Sequence, residues 1–271
     1  MLAIVVSLII GFLAGFALHL SNSWISINWC ITLGVIVFIA LQVLLGFYVR
    51  KLVKKKTEAI QGIMEEGQKK INRRVQHFQM KQQGDMKMIQ RVLEKEQNVF
   101  IREALSKVDT LYSLCKWNIM LKKQIHTMKF QFHYQLKEFK DADIHMAKAM
   151  FVEPVSAAMK IARLYKNNDS SYINFFKKKI KRFKKNEFAP ILYGVYSWIL
   201  VKNKKITEAI DVLEEAKTAT SNETIAKNWE NLVNGKIDKF SNAGLGDHWY
   251  ALYLEEPKVQ KPKQQMIRQH K

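Results

Sequence analysis

Two histidines, His126 and His133, stand seven residues apart in a stretch of helical pattern, so their rings can share one face. An imidazole pair does metal or proton-transfer chemistry when carboxylates or thiolates join it. No such company is evident at matching spacing, and the pair reads as packing or surface. Cys30 sits in an apolar run and Cys115 in a helical pattern, with no CxxC and no Cys/His cluster. Neither a zinc site nor a disulfide framework is indicated. Gly-rich phosphate loops, GxSxG and HExxH are all absent. The expectation is a protein without catalytic, cofactor or metal residues, and not an enzyme.

The residues that can do something are basic. The chain of 271 residues carries 44 Lys+Arg against 24 Asp+Glu, a net charge of +20, yet residues 1–49 contain no Asp, Glu, Lys or Arg. Charge begins abruptly at "RKLVKKK", with Arg50, Lys51, Lys54, Lys55 and Lys56. Further along lie Lys69, Lys70, Arg73 and Arg74. Each such cation close to an anionic membrane surface contributes about 1 kcal/mol. Nucleic acid is the other usual target of a basic helix, but an apolar anchor makes lipid the nearer partner and nucleic acid the lesser expectation. A third cluster, "KKKIKRFKK" at 177–185, is either a solvated helix face or a contact for lipid or acidic protein.

The elements that position these charges come first in the chain. Leu2–Leu20 and Trp29–Val49 are almost wholly apolar. Each is long enough to cross a hydrocarbon core of roughly 30 Å as a helix. Trp24 and Trp29 flank one interface, and Phe47 and Tyr48 the other, as an aromatic belt does. A cleaved signal peptide would need a basic start and a small-residue cleavage site, which the first segment lacks. The basic run after the second span marks the cytoplasmic side, so both termini are expected there. Ser7, Gly11 and Gly15 put a small residue at every fourth position of the first span. Such a face packs against the second span or drives self-association.

From Thr57 to about Leu105, apolar residues recur at Ile60, Met64, Ile71, Val75, Phe78, Ile89, Leu93, Phe100 and Ala104, one stripe of a helix. Gly67 and Gly84 weaken it, and "KQQGD" at 81–85 suggests a kink. The stripe predicts a coiled coil between copies or a long helix that packs back on the domain after it.

Beyond it, "FKDADIHMAKAM" (Phe139–Met150) aligns with "ITEAIDVLEEAK" (Ile206–Lys217): Phe139 with Ile206, Ala142 with Ala209, Met146 with Leu213, Ala149 with Ala216. The offset of 67 residues, 206 less 139, is about twice a helix–turn–helix unit of 34. This large–small–large–small pattern closed by Pro154 resembles the tetratricopeptide-repeat family. The first helices, Leu121–Leu136 and the one after Pro190, match less well, and a middle unit carries Phe175 and Phe176 where alanines belong. The resemblance implies a short α-solenoid whose first helices line a partner groove. By position those residues are Thr127, Gln131, Tyr134, Trp198 and Lys202, with Tyr165 expected in the core. The family's carboxylate clamp is not matched, since Thr127 and Gln131 stand there. "NAGLGDHWYALYLEEPK" is too apolar for a solvated tail and either folds back or docks a partner.

The expected fold is all-α: a transmembrane hairpin (1–49), a basic stalk (50–104), a tetratricopeptide-like repeat domain (105–256) and a basic disordered tail (257–271). The layout is similar to that of bacterial inner-membrane proteins of the HemY type, and that resemblance implies a bacterial inner membrane. The chlamydial inclusion-membrane family has a similar layout, but this chain lacks its leading soluble signal. The expected function is a membrane-anchored adaptor that binds a protein through the groove. The alternatives are a self-assembling membrane coat, through a homo-oligomer, and a nucleic-acid tether.

Overall fold

The computed structural model describes residues 2–21, 26–81 and 86–257, and among these every regular element is a helix. Trp24, the segment from Gln82 to Asp85 and the basic tail from Lys258 lie outside the described residues. The chain forms two units, Met1–Met150 and Phe151–Lys271.

The first unit opens with α1 (Leu2–Ser21) and α2 (Ile27–Lys81). Both are long and apolar enough to cross a membrane, α2 in its first half. Most of their large side chains point outward, Phe12 at 72% exposure and Leu44 at 65%. An apolar helix pair that buries so little of itself is unlike the core of a soluble protein. No proline interrupts α2, which passes unbroken from the apolar half into the basic half across residue 49. α3 (Met86–Val108) returns along it and likewise crosses residue 104 without a break. A 3-10 helix (Asp109–Leu114), α4 (Ile119–Gln135) and α5 (Phe139–Met146) complete the unit.

Part of the stripe predicted along the stalk is buried inside this unit. Ile60 packs with Ile101, Ala104, Val108, Leu111, Leu121 and Ile125, all nearly free of solvent, while Ile63 and Met64 cover the edge. Burying each aliphatic side chain contributes about 1.5–3 kcal/mol, so the fold-back outweighs a coiled coil that would leave α3 uncovered. Gly67 has a place in this. A Cβ there would lie 2.6 Å from the Phe100 ring, so the missing side chain lets that ring seat on α2.

The second unit contains α6 (Pro154–Lys166), α7 (Tyr172–Phe183), α8 (Ala189–Lys202), α9 (Ile206–Thr220), α10 (Glu223–Val233) and the short α11 (Asp247–Tyr250). Pro154 and Pro190 stand in the first turns of α6 and α8, where the missing N–H costs nothing. α8 is the centre: every residue from Ala189 to Leu200 is buried, against α6, α7 and α9. Phe176 of α7 stacks on Tyr196 of α8 with centroids 4.0 Å apart, so the phenylalanine in the alanine position fills a ring-sized space.

The segment after α10 folds back within this unit. Trp249 and Leu252 are almost fully buried. Asn242 donates to the Gly194 carbonyl at 2.8 Å and accepts from Asn228 Nδ2 at 2.8 Å. Both indole nitrogens of Trp198 and Trp249 donate to Glu255, at 2.7 and 2.9 Å.

Candidate membrane-facing site

α1 and α2 run antiparallel in close contact because their facing residues are small. A Cβ on Gly11 would stand 2.7 Å from the Gly34 carbonyl oxygen, and one on Gly15 2.7 Å from the Cys30 carbonyl oxygen. Ser7 is buried on the same line; its hydroxyl donates to the Ala3 carbonyl. Gln42 of α2 donates to Ser7 Oγ at 2.8 Å and to the Ala3 carbonyl at 3.1 Å. The small-residue face therefore serves the hairpin, and polar groups among apolar helices satisfy each other across it.

The basic residues divide by what they touch. Arg50, Lys51, Lys54 and Lys55 are exposed at the point where α2 turns from apolar to polar. Lys54 is within 3.6 Å of Glu58. Lys56 is half-buried and donates to the Thr110 carbonyl at 2.6 Å, tying the 3-10 helix to α2. Arg74 pairs with Glu96 of α3, and Lys70 lies over the Phe100 ring at 5.6 Å. Lys69 and Arg73 are exposed. At about 1.5 Å per residue the group from Lys69 to Arg74 lies roughly 28–36 Å further along α2 than Arg50. That is several Debye lengths of about 8 Å, so the two basic groups cannot serve one flat surface unless α2 lies down on it.

The residues expected to line a groove are placed otherwise. Tyr134 is 2% exposed and Trp198 6%, each in the core of its own unit. Tyr134 meets Phe130 and Phe139, and Trp198 meets Tyr165 and Trp249. Neither ring is presented to a partner, because neighbouring aromatics take up the space that small residues would leave open. Thr127 is half-buried: its hydroxyl donates to the Met150 carbonyl at 2.8 Å and accepts from the Met150 N–H at 3.0 Å. Gln131 is half-buried, and Lys202 is exposed with its ammonium 5.2 Å from the Trp198 ring centroid. Ala142, Ala209 and Ala216 are fully buried. Ala149 is half-buried and lies beyond the end of α5, which stops at Met146.

The two histidines of the sequence are part of a larger cluster. His126 and His133 do share a face of α4, and α5 adds His145 between them. The Nδ1 atoms of His126 and His145 are 3.0 Å apart, and the His133 and His145 rings stack at 5.4 Å. His133 Nδ1 also meets Glu138 Oε2 at 2.8 Å, while Arg102 holds the other oxygen at 2.6 Å. Burial, with His126, His133 and Lys129 nearby, pushes His145 down to about 4. Burial and the cations Lys148, Lys122 and Lys129 lower His126 as well. His133, Glu138 and Asp141 bring three ligand-type atoms within 4.8 Å. The surrounding Arg102 and Lys129 and the pairing of Glu138 oppose a cation there, and the cluster acts as a hydrogen-bonded joint between α4 and α5.

No protein-family model, no curated protein and no solved structure matches this chain.

In the second unit two lysines are drawn into aromatic surroundings. Lys160 lies over the Phe151 and Phe175 rings at 4.9 and 4.7 Å, and Lys179 donates to the Phe151 carbonyl at 2.5 Å. Burial lowers the affinity of both amines for their protons. The outer face of α7 remains strongly basic, with Lys177, Lys178, Lys181 and Arg182 exposed.

Proposed function

We propose that the protein is a non-catalytic membrane-anchored adaptor. α1 and the first half of α2 cross a bilayer, and the helical units on the Arg50 side hold a protein partner at its surface. The observation that carries this reading is α2 itself. It begins with exposed apolar side chains, acquires Arg50, Lys51, Lys54 and Lys55 at one level, and continues without a break into a helix whose Ile60 closes a folded core. The first unit is then joined to its anchor by helix rather than by a flexible linker. The basic run assigns the Arg50 side to the cytoplasm, by the bias of lysine and arginine toward that side. At a span tilt of about 20°, Lys69, Lys70, Arg73 and Arg74 stand beyond the reach of headgroups, and the lipid-binding set is Arg50 to Lys55.

The pairs α4–α5, α6–α7 and α8–α9 are read as tetratricopeptide-like units. Supporting this are the fully buried Ala142 and Ala209 at corresponding positions. With Tyr134 and Trp198 in the cores, the partner surface moves to the outer face of α7, where Lys177, Lys178, Lys181 and Arg182 suit an acidic segment of another protein. The coat alternative draws less support, because the Ile60, Met64 and Ala104 part of the stalk's apolar stripe is occupied within the chain. The test is photo-crosslinking in cells from positions 178 and 181 of the full chain. The adaptor reading expects a discrete second protein that is lost when the four α7 cations become Gln. Crosslinks only to further copies of the chain would replace it with the coat, and crosslinks to nucleic acid with the tether.

A further inference from the structure

The register of the anchor has a consequence for the turn that precedes α4. Gly11 faces Gly34 and Gly15 faces Cys30, so Leu2 is level with Val43, seven residues short of Arg50. That is about 10 Å along the helix axis toward the apolar side. The Leu2 N–H donates to the Lys116 carbonyl at 3.1 Å. The turn from Cys115 to Met120 is therefore drawn below the level of Arg50, alongside the end of the apolar pair. Chain direction agrees. α3 runs back toward the apolar half of α2, Lys56 holds Thr110, and α4 leaves again past Gln124. At this turning point Ile119 is 58% exposed and Met120 47% exposed, with Trp117 half-buried beside them. Two adjacent exposed aliphatic residues and an indole are poorly suited to water and well suited to a headgroup boundary.

Directly beside the turn is an open hollow of about 480 Å³. Arg50 and Lys54 line it on the α2 side, and Asn118 and Gln124 on the α4 side. Glu58 also lines it, 3.6 Å from Lys54. The N-terminus of α4 also borders it; Asn118 Oδ1 accepts the Met120 N–H at 3.0 Å. Two cations, three neutral amides (Gln61 with Asn118 and Gln124) and the positive end of a helix outweigh the single carboxylate of Glu58 and favour one phosphate group.

We propose that this turn is a third membrane contact: Trp117, Ile119 and Met120 enter the leaflet on the Arg50 side, and the adjoining hollow holds the phosphate of one anionic phospholipid. The proposal rests on the reading that α1 and α2 cross a bilayer. The contact fixes the angle between the anchor and the bundle, because the bundle touches the bilayer at two places.

The test uses the full chain with Cys30→Ala and Cys115→Ala, reconstituted in equimolar phosphatidylcholine and phosphatidylglycerol. A polarity-sensitive fluorophore is attached at Met120→Cys, at Phe12→Cys or at Ser106→Cys. Lipids brominated near the glycerol end of their chains should quench the label at 120 several-fold more than the label at 106. Quenching at 12 but none at 120 above the level at 106 would overturn the third contact and leave the anchor standing. No quenching at 12 by lipids brominated near the ends of their chains, which reach the middle of α1, would remove the anchor and the contact together. Native mass spectrometry of the unlabelled chain reads the hollow. One phosphatidylglycerol should stay bound in preference to phosphatidylcholine, resist excess inorganic phosphate, and be lost from Arg50→Gln/Lys54→Gln. Unchanged retention in that variant, or displacement by inorganic phosphate, would overturn the lipid site.

Discussion

Gly11 and Gly34 meet across the α1–α2 pair so closely that a single added Cβ would lie 2.7 Å from the opposing carbonyl oxygen. Overpacking of this kind costs about 1–3 kcal/mol. Gly11→Leu should therefore lower the thermal midpoint of the full chain in detergent and open the α1–α2 pair to protease. Gly46→Leu, where nothing lies within 4 Å of the new Cβ, should not. If the glycine served a contact between copies, the variant would change oligomer size and leave the midpoint alone.

Ala142 and Ala209 have no solvent exposure, whereas Ala149 lies outside α5 and is half-buried. Leucine at 142 or 209 should destabilise by about 1–3 kcal/mol, and leucine at 149 by no more than about 0.5 kcal/mol. Denaturant melts followed by circular dichroism separate the three. Equal effects at 142 and 149 would contradict the assigned helix boundary.

The burial of Ala142, Ala209, Met146 and Leu213 was legible, because close helix contacts demand small and large residues at set intervals. It was not legible at Tyr134 and Trp198. A helical wheel tells which residues share a face, but not that Phe130 and Phe139 close over one ring and Tyr165 and Trp249 over the other. The stalk's stripe was visible as a stripe. Its partner could not be read, since Ile101 and Leu121 suit an internal fold-back and a second chain equally well. His145 was hidden from the pair His126 and His133 because only the α4–α5 turn brings it between them.

Trp198 and Trp249 share the Glu255 carboxylate. Trp198→Ala should cost about 3–5 kcal/mol through the lost core, unfolding the second unit rather than selectively abolishing partner capture. Glu255→Gln is the finer probe. An amide cannot accept from both indoles through two oxygens, and the lost hydrogen bond should cost about 1–3 kcal/mol. Fluorescence-detected unfolding reports both directly, and a stable Trp198→Ala protein would return that ring to the surface.

His145 stays neutral because its proton affinity is held down to about 4, well under the ordinary 6.5. A histidine lowered on folding contributes stability that is complete above about pH 6.5 and is lost as the pH falls toward 4. Amide protection in α4 and α5, after correction for the slower intrinsic exchange at lower pH, should therefore fall between neutral pH and about pH 5, before the carboxylates titrate. His145→Gln should flatten that dependence. An unaltered profile in the variant would mean that other groups carry it.

The central claim is that α1 and the first half of α2 cross a bilayer with the helical units on the Arg50 side. In a chain whose native cysteines are replaced by alanine, Ser26→Cys and Ser221→Cys lie on opposite sides under this account. A membrane-impermeant thiol reagent added to intact cells should label position 26 and leave 221 unlabelled until the membrane is opened. Labelling of 221 with protection of 26 would invert the orientation, and recovery of the chain in the soluble fraction would contradict the anchor itself.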